Sequence, residues 1–138
     1  MKQLIFRTMN TVHGGLYRMS GGKLGGSMRG APVLLLRTLG RKSGKEYTTP
    51  LLFGRDGDNL VVIASKGGDP RNPAWYHNVM AGEAEVQVAK EQHRVRAREA
   101  EGDERERLWA DMVALYPDYA DYQQKTSRRI PVVVLEPV

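Results

Sequence analysis

The chain contains no cysteine, and this absence removes several classes of protein at once. Disulfide bonds, cysteine-ligated zinc, iron–sulfur clusters and thiol catalysis all require that residue. Only three histidines are present, His13, His77 and His93, so a metal site built on imidazoles is not expected. No apolar run approaches the roughly 18 residues that a helix needs to cross a bilayer. What remains is a chain of 138 residues, 41% hydrophobic and 27% charged, which is typical of one globular domain.

Negative charge is scarce in the first part of the chain. Residues 1–50 carry nine lysines and arginines against one glutamate, whereas residues 99–138 carry nine acids against five bases. A net charge of +5 with this asymmetry indicates an anionic partner: nucleic acid, anionic lipid, or a ligand with phosphate or carboxylate groups. Nucleic acid is disfavoured, because the basic residues lie in glycine-rich turns instead of along one helix and no nucleic-acid-binding module is recognisable.

The first twenty residues place apolar side chains at roughly helical spacing, which predicts an amphipathic N-terminal helix. This segment has no long apolar region and no small-residue cleavage site, so it is not a secretory signal. We expect residues 1–20 to cap the domain as a leader helix, with contact to a membrane surface as the alternative. The folded domain itself is predicted to comprise residues 21–138.

Short strands in series, with helices inserted late, predict a mainly β (α+β) protein built on one antiparallel sheet or barrel. Asn72 is expected to cap the first helix, with Pro73 at its first position, and Asp103 to cap the last one. A turn is predicted at residues 55–59. The predicted strands are 32–36, 46–53, 60–64, 84–89, 93–99 and 130–135, and the predicted helices are 74–80 and a longer one from 103.

Two basic loops flanked by glycine are the first candidates for a binding site. Residues 40–45 combine glycines, cations and the Ser43 hydroxyl, which together suit a phosphate or carboxylate, although the Walker spacing is absent. Residues 65–68 leave a strand and lead to the helix start at 72–75, where unpaired amides favour an anion. Each loop alone is also explained as a chain reversal. Taken together, they fit a ligand with separated negative groups.

Three tyrosines follow the last long helix. Tyr116, Tyr119 and Tyr122 are spaced by three, which puts them on approximately one helical face, although Pro117 makes the helix restart. Their rings can wall a pocket for a planar ligand, but such tyrosines more often lie at the edge of a core. No serine–histidine–aspartate arrangement or carboxylate pair is recognisable. If the chain is an enzyme, a cofactor is therefore expected to supply the reactive group.

Five motifs follow one another along the chain: TLGRKSG at 38–44, TPL at 49–51, ASKGG at 64–68, NPAWYHN at 72–78 and YPDYADYQ at 116–123. Each is modest alone, but the ordered set covers nearly the whole chain and resembles the deazaflavin-dependent nitroreductase family of actinobacteria. The resemblance implies a single split β-barrel of the flavin-reductase-like type with helices packed on it. It also implies the 8-hydroxy-5-deazaflavin coenzyme F420 as cofactor, with FMN as the alternative.

The resemblance further implies roles for individual residues. F420 carries a phosphate and a polyglutamate tail, the kind of extended anion that the two basic loops suit. Ser65 and Tyr119 are the implied catalytic hydroxyls, and no metal site is implied. The implied cofactor-binding residues are Arg41, Lys42, Ser43, Pro50, Ser65, Lys66, Gly67, Gly68, Trp75 and Asn78, and the implied substrate-side residues are Leu52, Tyr116, Tyr119 and Tyr122.

The implied reaction is hydride transfer from the reduced deazaflavin to an electron-poor acceptor: a quinone, an activated enone or lactone, or a nitro compound. Ser65 and Tyr119 would stabilise the developing charge or donate a proton, with water as the alternative donor. Nitroimidazole-reducing members of the family carry tyrosine where this chain has Leu52, which argues against that substrate. The remaining expectations are a cytoplasmic monomer or homodimer; a flavin-binding protein without turnover is the alternative function.

Overall fold

The computed structural model describes residues 27–28 and 31–138. The predicted leader helix lies outside these residues, and with it the predicted membrane contact. Within the described residues, no helix is long and apolar enough to span a bilayer. The elements in chain order are β1 (Ser27–Met28), β2 (Ala31–Leu39), β3 (Glu46–Leu52), β4 (Gly54–Asp56), β5 (Asn59–Ile63), a 3₁₀ turn (Lys66–Gly68), α1 (Ala74–Met80), β6 (Glu83–Val88), β7 (Glu91–Glu99), α2 (Gly102–Leu115), α3 (Asp118–Gln124) and β8 (Val132–Pro137).

The strands form one curled antiparallel sheet, a half-barrel. The long strand β2 pairs with β3 on one side, over residues 33–39, and with β6 through residues 35–37. From β6 the sheet continues through β7, β8 and β5 to β4. Each of these pairings is antiparallel. The prediction of a mainly β protein with an antiparallel sheet and helices packed on it is confirmed.

Residues 33–36 of strand β2 are apolar on both faces because the fold buries them between two cores. Leu34 and Leu36 belong to a cluster with Trp75 and Val79 of α1, whereas Val33 belongs to a second cluster with residues of α2 and α3. Alternation along the strand sends neighbouring side chains to these opposite faces. Burial of each leucine contributes about 1.5–3 kcal/mol, so β2 is the central support of the sheet.

The predicted N-cap at Asn72 is wrong. Helix α1 begins at Ala74 with Pro73 at the N-cap position, and no side chain caps it. The Asn72 Oδ1 atom instead accepts a hydrogen bond from Arg128 at 2.7 Å. An oxygen committed to a distant guanidinium does not cap the helix that follows it.

Two other predicted boundaries are also wrong. Asp103 does not cap α2, because the N-cap position belongs to Glu101 and Asp103 lies in the first helical turn. Its charge is still favourable there, close to the positive end of the helix dipole. The turn predicted at 55–59 is shorter, since part of it pairs as β4 with β5 and the reversal occurs around Gly57, whose φ is +62°.

Candidate functional site

The turn between β2 and β3 and the helix α1 enclose a cleft of about 400 Å³, the hairpin cleft. The predicted hairpin is confirmed, since Leu39 pairs with Glu46 across it. Its turn is closed by hydrogen bonds from the Gly40 amide to the Lys45 carbonyl (2.7 Å) and from the Gly44 amide to the Gly40 carbonyl (2.9 Å). The lining consists of Gly40, Arg41, Lys42, Ser43, Tyr47, Thr49, Ala74, Trp75 and Asn78.

The hairpin cleft therefore brings together five of the predicted cofactor-binding residues. Sequence analysis misses Tyr47 and Thr49, although the alternation of β3 points both to one face beside the basic turn. Pro50, between Leu51 and Thr49, falls on the other face by the same alternation, and it is exposed. Its role stays a prediction.

Charge and apolar surface are separated within the hairpin cleft. Arg41 and Lys42 are exposed, and no acid occurs among the described residues that line the cleft. Trp75 is 8% exposed and joins the cleft to the first core cluster. A flat group can therefore contact the indole while an anionic part reaches the cations. Ligand sites commonly combine an apolar wall with a few charged groups in this way.

Asn78 holds the two halves of this cleft together. Its side chain is buried in α1, and its Oδ1 accepts a hydrogen bond from the Arg41 amide at 3.0 Å. The basic turn is thereby fixed to the helix that carries Trp75. Asn78 contributes to the cleft through the position of Arg41 as well as through its own surface.

The second basic loop is the 3₁₀ turn Lys66–Gly68, here called the Lys66 turn. No residue of this turn lines the hairpin cleft. Lys66, Gly67 and Gly68 have φ of +46°, +62° and +86°, and the left-handed region costs a non-glycine residue such as Lys66 roughly 1–2 kcal/mol. The amides of Gly68 and Asp69 bond to the Ser65 and Lys66 carbonyls.

Two further amides of the Lys66 turn precede those bonds. A 3₁₀ turn offers no internal acceptor to its first amides, so those of Lys66 and Gly67 are available to a ligand. The Lys66 side chain is exposed beside them, and Ser65 makes no capping hydrogen bond with its own hydroxyl. A cation beside amides that have no acceptor within the turn suits an anionic group.

The predicted substrate-side residues come together in the second core cluster. Leu52 and Tyr119 are buried in it, with Tyr119 4% exposed, and Tyr116 and Tyr122 pack against it. The Tyr119 ring meets those of Tyr116 and Tyr122 edge-on, with centroids 5.1 and 6.3 Å apart. As predicted, the helix restarts: Tyr116 is extended and α3 begins at Asp118.

Burial raises the pKa of Tyr119, and a hydrogen bond with Tyr122, ahead of burial, raises that of Tyr116. Both phenols therefore remain protonated at neutral pH and can donate a hydrogen bond.

Helix α3 also contacts the Lys66 turn, because a Cβ at Gly68 would lie 2.8 Å from the Tyr122 carbonyl oxygen. The tyrosines and the second basic loop thus belong to one neighbourhood.

Comparison with known proteins identifies relatives along nearly the whole chain. A sequence model described as F420H(2)-dependent quinone reductase matches residues 9–137. An F420H(2)-dependent quinone reductase of Mycobacterium tuberculosis is 42% identical over 129 residues, covering 90% of this chain and 87% of the relative.

Two solved structures share both fold and sequence with this chain. The F420-H2 dependent reductase FDR-A has a TM-score of 0.70 and 45% identity, covering 76% of this chain and 94% of its own. A protein described as a domain-swapped dimer has a TM-score of 0.71 and 38% identity, covering 93% of this chain and 98% of its own.

Proposed function

Because the chain belongs to the family of F420H(2)-dependent quinone reductases, we propose that it transfers a hydride from reduced coenzyme F420 to a quinone. The chain is an oxidoreductase and coenzyme F420 is its cofactor. The curled antiparallel sheet agrees with a split-barrel-like fold. The quinone, rather than an enone, lactone or nitro compound, is supported by the family description.

The absence of acids among the described residues that line the hairpin cleft is the main support for placing the cofactor there. The coenzyme combines a flat deazaflavin with a phosphate and a polyglutamate tail, and this cleft combines the indole of Trp75 with Arg41 and Lys42. We assign Arg41, Lys42 and Ser43 to the phosphate and tail. Pairing a flat apolar wall with cations suits both parts of one ligand.

The Lys66 turn is assigned to the phosphate or to the edge of the deazaflavin. The amides of Lys66 and Gly67, which have no acceptor within the turn, and the exposed ammonium group can each contact an oxygen of the coenzyme. Two separated cationic sites fit two separated anionic groups. No acid occurs among the described residues that line the hairpin cleft, and the Asp69 carboxylate beside the Lys66 turn accepts a hydrogen bond from the Arg71 amide.

When bound, F420 supplies the hydride from C5 of its reduced ring. The protein supplies position and hydrogen-bond donors. The Ser65 hydroxyl, half-buried at the start of the Lys66 turn, is assigned to the negative charge that develops on the acceptor. Tyr119 keeps its proton on Oη because burial raises its pKa, and with Leu52 it forms an apolar wall that excludes water on the acceptor side.

The proposed function is tested by following oxidation of reduced F420 with three acceptors: a naphthoquinone, a coumarin and a nitroaromatic. We expect saturable oxidation that is fastest with the quinone, and no increase over the protein-free rate when reduced FMN replaces the deazaflavin. Preference for the coumarin or the nitroaromatic would contradict the quinone assignment. No oxidation above the protein-free rate with any acceptor would overturn the reductase itself.

Asn78→Ala is expected to raise the KM for reduced F420 about fivefold to tenfold. The Arg41 amide loses its acceptor, a hydrogen bond worth about 1 kcal/mol, and the basic turn is no longer fixed to α1. His77→Ala, an exposed neighbour on the same helix, is the control and should leave KM unchanged. Equal KM values for the two variants would show that Asn78 does not position this turn.

A further inference from the structure

We propose that Arg128 is a positioning residue that holds the Lys66 turn in its binding conformation. The inference rests on the proposed function, in which this turn contacts the coenzyme. Arg128 lies after α3, 56 to 64 positions from its partners. It belongs to none of the five sequence motifs, which is why sequence analysis does not find it.

The Arg128 guanidinium donates to acceptors on both sides of the turn. On the near side it bonds to the carbonyl oxygens of Ala64 (3.2 Å) and Ser65 (2.8 Å). On the far side it bonds to the Asp69 carbonyl (2.8 Å) and to Asn72 Oδ1 (2.7 Å). Four of the five N–H groups of one rigid, planar group are thus used to tie the ends of the turn together.

The turn needs such a constraint because its own conformation is unfavourable. Three successive residues have positive φ, and one of them, Lys66, is not glycine. Only two backbone hydrogen bonds are formed within the turn, from the Gly68 amide to the Ser65 carbonyl (2.9 Å) and from the Asp69 amide to the Lys66 carbonyl (3.1 Å). Strained backbone persists where the surrounding structure imposes it, and here the guanidinium does so.

Arg128 is itself held by α3. The Gln123 Nε2 donates to the Arg128 carbonyl at 2.7 Å, and Gln123 Oε1 accepts from the Ile130 amide at 3.0 Å. The Arg128 amide also donates to Thr126 Oγ1 at 3.2 Å. Helix α3 carries Tyr119, so the constraint fixes the proposed cofactor-binding turn relative to the proposed acceptor side.

The test compares Arg128→Ala and Arg128→Lys with Arg105→Lys. Arg105 is a suitable control because, like the half-buried Arg128, it donates to a carbonyl, that of Ile130 (2.7 Å), but it is buried elsewhere and contacts no residue of the turn. Three quantities are measured on the full chain: amide hydrogen exchange at Gly68 and Asp69 without coenzyme, the melting temperature, and KM and kcat for reduced F420.

We expect Arg128→Ala to accelerate exchange at Gly68 and Asp69 at least tenfold and to raise KM about tenfold, with kcat within threefold of the parent. Arg128→Lys should restore the exchange rates and KM only partly towards those of the parent, because an ammonium group cannot donate to four acceptors in one plane. Arg105→Lys should lower the melting temperature while exchange in the turn and KM stay unchanged.

Unchanged exchange at Gly68 and Asp69 in both Arg128 variants would overturn the positioning role, whatever the kinetics. The same change in Arg105→Lys as in Arg128→Lys would also overturn it, since loss of stability would then explain the effect. Accelerated exchange with unchanged KM would uphold the constraint and instead refute the assignment of the Lys66 turn to the coenzyme.

Discussion

Replacing Gly68 with alanine is expected to lower the free energy of unfolding by about 3 kcal/mol and to raise the KM for reduced F420 more than tenfold. The added Cβ would lie 2.8 Å from the Tyr122 carbonyl oxygen and 2.9 Å from Lys125 Cβ. Neither neighbour is the far end of a flexible side chain. The residue would also keep a φ of +86°, which costs alanine roughly 1–2 kcal/mol, and overpacking adds about 1–3 kcal/mol.

Gly57→Ala separates the effect of a positive φ from the effect of overpacking. Gly57 has a φ of +62° in the turn between β4 and β5, but a Cβ there would meet nothing within 4 Å. We expect Gly57→Ala to lower the free energy of unfolding by about 1 kcal/mol, the contribution of backbone strain alone, and to leave KM unchanged. Chemical denaturation and steady-state kinetics measure both. If Gly68→Ala matched Gly57→Ala in stability and in KM, the close packing of α3 on the Lys66 turn would be refuted.

The double variant Arg41→Ala, Lys66→Ala is expected to raise the KM for reduced F420 about a thousandfold. A hydrogen bond to a charged group contributes about 1.5–3 kcal/mol, which corresponds to roughly 10-fold to 150-fold for each residue. The residues belong to different loops, and only Arg41 lines the hairpin cleft. Independent sites of this kind contribute nearly additively to the binding free energy. Each single variant should therefore lose about half of the binding free energy that the double variant loses.

A double variant with the same change in net charge supplies the control. Arg55→Ala, Lys90→Ala removes two exposed cations that contact neither proposed site. Its KM should remain within about threefold of the parent at moderate ionic strength, because salt screens exposed charges that do not contact the ligand. An equal rise in KM for both double variants would mean that the coenzyme responds to net charge alone, and the two assigned sites would be abandoned.

Local sequence signals predict the elements that position the site. The apolar run from Val33 to Leu36, followed by Gly40 and Gly44 around two basic residues, predicts the β2–β3 hairpin, and the structure has it. The motifs that resemble a known family also predict five of the residues that line the hairpin cleft. These features depend on neighbours within a few residues, which is the range that sequence patterns report.

Contacts between distant segments are not predictable in this way. Asn72 has the sequence context of an N-cap, yet its oxygen accepts a hydrogen bond from Arg128, 56 positions away. The approach of Tyr122 to Gly68 likewise depends on the packing of α3, and no local pattern of either segment indicates it. The sequence thus predicts candidate binding loops, whereas the structure is needed to show which distant residues contact them.

At Lys66, conformational stability and the proposed binding role favour different residues. At a φ of +46°, glycine or asparagine is the residue that conformational energy favours. A lysine at this position lowers stability and adds a charge at the surface. With the Lys66 turn assigned to the coenzyme as proposed, replacement of Lys66 by glycine would therefore be selected in a screen for thermal resistance and rejected in a screen for turnover, so a substitution chosen for stability alone would mislead at position 66.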